Sequence, residues 1–424
     1  MFMKPFISLI VGVCLLAGHS ARCYQENHRR PDCGNVHLTV SPTRDTNLEL
    51  NWISDCEDDS APEFIVFSRK HLRDTDENSI ILKLKAADYP RGYYKTSTSY
   101  GHPWLPGNWE YSETTNRKDM GPYCLPYWIT SVRGERIIDE NCLAIQPTWM
   151  YDNRQTLGSQ KIGSIFIPGT HNSGSYDGIP AFLEGYVLNQ DRDVWTQLVH
   201  GIRYLDFRVG FYHREGFFIN HDQVKVINVE TVLDQIKKFV ELAPSEVVVV
   251  DFHRFPYPSN FTAEMHRKFT DLVYRYLGDH ALSPSGLQVG KGPTLNEIWA
   301  QNKSVIICYS DRNTVRETFW LWQPLQQFWG DTNSVSSLKG FLTRSIKQHR
   351  TTINPMWALM AELTPQPLDF ILRINNLRNL AQKVNREVTK WFREEWFYDA
   401  NVVATDYFLS NDLIAVAIDA NSRK

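Results

Sequence analysis

The sequence predicts an α/β protein: a (β/α) barrel over residues 151–424, preceded by a small disulfide-bearing β-sandwich over residues 24–150. Two patterns carry that expectation. Short strand-like runs separated by turn residues fill the first part, and such runs pair into antiparallel sheets. From residue 151 onward, apolar strands alternate with amphipathic helices over about 270 residues, the pattern of a parallel sheet covered by helices. A third observation points to function. Histidines, carboxylates and one arginine stand at strand ends in the second part, where a barrel gathers its chemistry.

The chain of 424 residues has room for one barrel of about 250 residues and a smaller domain. Its formal net charge of −3, with no block of Lys or Arg, argues against nucleic acid and against a strong anionic-membrane anchor. Lys4 precedes an apolar run, Phe6 to Ala17, and then the small residues Gly18, Ser20 and Ala21. This reads as a signal peptide over residues 1–20 and predicts a secreted protein; its apolar part is too short to span a bilayer. Cys23, Cys33, Cys56, Cys124, Cys142 and Cys308 follow it. The early cluster reads as disulfides, with connectivity open. Cys124 and Cys142 are the easiest to pair locally, and Cys308, in the apolar run SVIICY, reads as a buried free thiol. Asn260 and Asn302 open glycosylation sequons.

In the first region, Val36–Val40 and Leu48–Trp52 alternate apolar and polar residues, and Phe64–Phe67 and Ile80–Leu84 are apolar runs of strand length. A core this small gains from disulfides. No catalytic constellation stands out here; the aromatic stretch around Tyr100 and Trp104 reads as packing or a binding face.

The second region opens on KIGSIFIPGTHNSGSY, Lys161 to Tyr176. The run Ile162–Ile167 is a strand, expected to end in a sharp turn at Pro168-Gly169, with His171 just beyond. Strands follow at Ile202–Val209 and Phe217–His221. Asn228 caps a helix to Leu242, whose apolar positions Val229, Val232, Leu233, Ile236, Phe239 and Val240 fall at helical spacing. The four valines ending at Asp251 make a strand buried on both faces. Phe261–Leu277 is helical, and Thr294 opens a capping box with Glu297. Ser304–Ser310, Trp357–Leu363 and Val402–Phe408 are strands. Phe370–Phe397 is one long helix, and Asn411–Ala420 closes the chain. A doubly wound sheet is the alternative, weakened by the lack of a glycine-rich dinucleotide loop.

Residues two apart on a strand share a face, so Asp206 with Arg208, and Asp251 with His253, point the same way. Together with His171, His221 and Asp406 they converge on one mouth. Two histidines and an arginine suit phosphodiester chemistry: one imidazole removes a proton, the other protonates the leaving oxygen, and a guanidinium holds phosphoryl charge. A carboxylate can fix one imidazole's tautomer.

IPGTHNSGSY, GIRYLDFRVG, FFINHD and SEVVVVDFHRF, in this order, resemble the X domain of phosphatidylinositol-specific phospholipase C. The likeness covers roughly residues 155–424 and extends less sharply to TLNEIW, SVIICYS and ATDYFLSNDLI. The resemblance implies an irregular TIM-type barrel, attack by the inositol 2-hydroxyl on phosphorus, and release of diacylglycerol and a cyclic inositol phosphate. It implies His171 as general base, His221 as general acid, Arg208 on the phosphoryl group and Asp406 behind the base. His253, Asp206, Asn172 and Asp251 are expected to face substrate. Arg208 stands where bacterial members carry arginine and calcium-dependent members carry a calcium ligand, so no metal or other cofactor is expected, calcium being possible but not favoured. Asn172 departs from the bacterial aspartate and matches the calcium type.

The expected partners are a phosphoinositide or inositol-lipid substrate and, transiently, a membrane surface. The alternative is a catalytically weak inositol-lipid or glycan-binding protein using the same pocket. Glu362, at another strand end, reads equally as a substrate contact or as structural. Trp320, Trp322 and Trp329 read as core, with an interfacial loop as the rival reading.

Overall fold

The computed structural model describes residues 33–56, 61–74, 76–112, 119–284, 290–349 and 356–424. The signal-peptide reading and Cys23 lie outside the described residues. The first region forms β1 (Val36–Val40), β2 (Asn47–Trp52), β3 (Phe64–Ser68), β4 (Ile80–Lys85), β5 (Tyr93–Ser99), β6 (Tyr123–Arg133) and β7 (Arg136–Ile145). They make two antiparallel sheets, ordered β1-β2-β5 and β4-β3-β6-β7. Alternate residues of both sheets, among them Leu38, Leu50, Ile65, Phe67 and Ile129, share one hydrophobic cluster. Cys33 pairs with Cys56, and Cys124 with Cys142 across β6 and β7. Cys308 is a buried free thiol.

The second region contributes β8 (Ile167–Thr170), β9 (Tyr204–Tyr212), β10 (Gly216–His221), β11 (Val224–Asn228), β12 (Val248–Tyr257), β13 (Val305–Tyr309), β14 (Gln326–Trp329), β15 (Trp357–Met360) and β16 (Val402–Thr405). Parallel pairing runs β13-β12-β9-β8-β16-β15-β14, and the hairpin β10–β11 hangs antiparallel from β9. Among the described residues no ladder joins β13 to β14; an isolated bridge, Cys308 with Trp322, lies beside that gap. The expected barrel is therefore open on one side, and β14, only four residues long, is its edge.

Period-two alternation sorts the strand side chains. Ile167, Tyr204, Val249, Ile306, Ala358, Met360, Val402 and Ala404 form an inner cluster. Leu205, Phe207, Val248, Val250 and Ile307 face outward, against Val232, Leu233, Ile236 and Phe239 of the helix Val229–Leu242. That helix starts where the Asn228 side chain accepts from Glu230 N–H. Leu233→Ala here is expected to cost about 2–5 kcal/mol.

Three expectations need correcting. The expected strand Ile162–Ile167 with a turn at Pro168-Gly169 is displaced: Ile162–Ser164 is a 3-10 turn, and Pro168 and Gly169 lie within β8, level with Val403 and Ala404 of β16. Glycine is needed at 169 because a Cβ there would sit 2.6 Å from Tyr204 Cδ1. The long helix expected from Phe370 is two helices, Pro367–Leu372 and Leu377–Trp391, separated by Arg373 at φ 54° and recapped by Asn376. Strand β14 and the helix Val335–His349 were not anticipated.

Candidate active site

The inner faces of the strands turn from apolar to polar toward their C-terminal ends. Above the inner cluster, β9 carries Asp206 and Arg208, β12 carries Asp251, and β8 and β16 lead to His171 and Asp406. Parallel register sets Asp251 level with Asp206. The chain leaves β8 through Asn172, which takes a left-handed φ of 44°, tolerated by asparagine better than by most side chains.

His171 is buried and held at both ring nitrogens. Nδ1 is 2.9 Å from Asp406 Oδ1, and Arg208 Nη2 is 3.0 Å from Nε2. A guanidinium only donates, so Nε2 accepts and Nδ1–H donates to Asp406. This is the neutral tautomer, with its lone pair toward Arg208. Burial works against a charge on this ring, but Glu362 and Asp406 outweigh burial and hold its pKa above the usual 6.5. Protonation at Nε2 requires Arg208 to turn away.

His221 ends β10, where the hairpin turns through Asp222 at φ 47°. Burial pushes its pKa down to about 4; Arg208 and His171 push the same way, and Asp222 opposes them. The two imidazoles therefore lie within each other's field, on either side of β9.

Asp206 is fully buried. Its Oδ2 accepts from Asn172 N–H at 3.0 Å and its Oδ1 from Gln327 Nε2 at 3.0 Å. Burial opposes its ionisation, but Arg208, His171, His253 and the Asn172 N–H together keep it below the ordinary carboxylate value. Asp251 Oδ2 accepts from Tyr204 OH at 2.9 Å and from Gln327 at 3.2 Å, and lies 3.7 Å from His253 Nδ1. Burial holds the Asp251 carboxyl above its usual value. Both aspartates thus sit beneath the mouth, joined by one amide. Below them, buried Arg203 pairs with Glu246 at 2.7 Å.

Four residues without a sequence signal complete the site. Gln327 bridges the aspartates. Asn189 donates to Asp406 Oδ1 at 2.9 Å and accepts from Asn172 Nδ2 at 3.1 Å. Gln190 donates to the carbonyls of His171 and Thr405 at 2.9 Å each. Asn385, on the helix Leu377–Trp391, donates to the Asp406 carbonyl at 2.8 Å. The same helix touches the first region through Gln382 with Glu49 and Arg386 with Asn51. Asn172 Oδ1 and Arg208 Nε are buried with no hydrogen-bond partner.

No family model matches the chain. It is 24% identical over 312 residues to PI-PLC X domain-containing protein 1 of Mus musculus, covering 66% of this chain and 87% of that one. The Homo sapiens protein of the same name is 25% identical over 230 residues, covering 48% and 68%. The chain is a relative of the PI-PLC X domain-containing proteins. Its fold is similar to that of the phosphatidylinositol-specific phospholipase C from Listeria monocytogenes, with a TM-score of 0.51 at 18% identity over 65% of this chain and 98% of the other. The mixed α/β architecture of the chain agrees with that likeness.

The tryptophan question resolves toward packing. Trp320 and Trp322 are core residues, and half-exposed Trp329 donates to Thr364 Oγ1 at 2.9 Å. Trp104 and Phe319 are also strongly exposed, and a further group of exposed apolar side chains follows β8 and β15. Phe182 (82% exposed), Leu368, Phe370, Ile371 (74% exposed), Leu372 and Ile374 stand on the segments that follow β8 and β15. Tyr186 packs on Phe370 with ring centroids 4.6 Å apart and ties the two segments together.

Proposed function

We propose that the chain is a secreted phosphoric diester hydrolase/lyase of the phospholipase C type that cleaves phosphatidylinositol-like lipids without a metal, its first step being the lyase step. One observation carries the reading: a single imidazole held by Asp406 at one nitrogen and faced by Arg208 at the other, with His221 beyond the same guanidinium. His171 takes the proton from a headgroup hydroxyl as its oxygen bonds to phosphorus. The phosphorus–glycerol oxygen bond breaks, and His221 gives that oxygen a proton. The products are a cyclic inositol phosphate and diacylglycerol. Arg208, whose buried Nε has no partner, donates to the phosphoryl oxygens. It also accounts for the low pKa of His221 in part. A phosphodiester anion seated on the guanidinium cancels that positive field and lets His221 hold a proton.

The calcium reading fits the donor set poorly. A calcium site gathers about six to eight oxygen ligands. Both oxygens of Asp206 already accept hydrogen bonds, and Arg208 brings a positive charge to the same strand. The apolar patch around Phe182 and Ile371, on the lip that carries His171, supports transient contact with a lipid surface. Asn260 and Asn302 are exposed, as glycosylation would require.

The test is product analysis on phosphatidylinositol vesicles, with chelator, for wild type, His171→Ala and His221→Ala. Cyclic phosphate release from wild type alone supports the reading. Equal release from both variants sinks it, and loss of all wild-type activity in chelator would replace Arg208 by calcium in the account.

A further inference from the structure

We propose that Glu362 is a second carboxylate partner of His171, a positioning residue that acts with Asp406 to hold the base's proton within the site. The placement follows from strand register. Leu359 pairs with Val403 and Met360 with Ala404, and Ala361 N–H donates to the Ala404 carbonyl at 2.8 Å. Continuing that parallel register carries Glu362 level with Asp406. Met360 and Ala404 both belong to the inner cluster, and Glu362 and Asp406 follow at the bends just past these two strand ends, each within the other's field and that of His171. Glu362 is buried, and neither of its carboxylate oxygens has a hydrogen-bond partner from another side chain. A purely structural buried carboxyl is normally satisfied. An unsatisfied one beside an imidazole stabilises by charge rather than by a bond.

The surrounding groups agree. Burial, and then Asp406, push Glu362 up to about 7, against His171 and Arg208, which favour its ionised form. The groups facing it are His171 beyond β8, Arg208 on β9 and Asp406 beyond β16; Asp206 on β9 faces His171 in turn. Each of the two groups therefore responds to the other's charge, Glu362 raised to about 7 and His171 raised above its usual value. An ionised Glu362 opposes the loss of the His171 proton. The base stays strong for the moment at which it must accept the nucleophile's proton.

The kinetic arm of the test rests on the phospholipase reading, and the spectroscopic arm does not. In the full chain, the His171 imidazole is titrated by NMR, assigned by its loss in His171→Gln. The wild-type midpoint should lie above 6.5. Glu362→Gln removes the charge and keeps the shape, and should lower that midpoint by about half a unit or more. Glu362→Asp keeps the charge and should recover most of the difference. An unchanged midpoint in Glu362→Gln overturns the proposal. So does an equal fall in Glu362→Asp, which would assign the effect to packing. In turnover, the alkaline edge of kcat/KM should move down with the midpoint while KM changes by less than about twofold. A wild type that titrates as expected but does not turn over contradicts the phospholipase reading and supports the assignment of Glu362.

Discussion

His171 and His221 flank the same strand, share the field of Arg208, and are set in opposite ways. On one side, β15 and β16 bring Glu362 and Asp406 to His171, so that a buried imidazole is held above its usual pKa. On the other side, β10 ends in a hairpin whose main opposing charge is Asp222, and burial takes His221 down to about 4. Burial acts on both rings in the same direction. The difference comes from which neighbours the two strand ends supply, and it divides a pair of identical side chains into a proton acceptor and a proton donor.

The strongest way to break this contrast is to remove either ring. His171→Ala and His221→Ala should each lower kcat/KM by about 10²–10⁴, measured as cyclic phosphate release. Arg208→Lys keeps the charge and loses the planar fork, and should lower kcat by about 10²–10³. It should also leave His221 far from its ordinary value, because burial is the larger cause. Asp406→Asn removes one charge-assisted hydrogen bond of about 1.5–3 kcal/mol, a loss of roughly 10–150-fold, with the midpoint of His171 falling in the same sample.

A pH profile sharpens the contrast without mutation. The reactive form needs His171 neutral and His221 protonated, and between the lowered value of His221 and the raised value of His171 that pairing is the disfavoured one. The reactive fraction is then level between the two values and falls below about 4 and above the raised value of His171. The acid edge of kcat/KM therefore belongs to His221 and the alkaline edge to His171, since that ratio reports the free enzyme. The smallest effect concerns the lip rather than the rings. Leu368→Asp with Ile371→Asp should weaken vesicle binding by about tenfold or more and leave cleavage of a short-chain soluble substrate unchanged, read by vesicle sedimentation beside a soluble assay.

Sequence and structure agree best where one force dominates. The four valines before Asp251 are buried on both faces, and no reading other than an inner strand suits them. β14 was invisible because QQFW has neither alternation nor length, so the role of Gln327 between Asp206 and Asp251 left no trace. Pro168-Gly169 misled because local turn chemistry usually decides such a pair. Here the close approach of Tyr204 from the next strand decides it instead. Asn189, Gln190 and Asn385 act through loops and backbone carbonyls, for which amide side chains carry no sequence pattern. Glu362 reads from sequence only as a strand-end acid; the pairing of β15 with β16 brings their ends, and so Glu362 and Asp406, to the same part of the mouth.

The central claim is that two histidines of opposite setting cut a phosphodiester with no metal between them. It is tested most directly by incubating wild-type protein with phosphatidylinositol vesicles in excess chelator and identifying the phosphate product. The account predicts a cyclic inositol phosphate, lost in both His171→Ala and His221→Ala. Release that survives either substitution, or that vanishes in wild type with chelator, would contradict it.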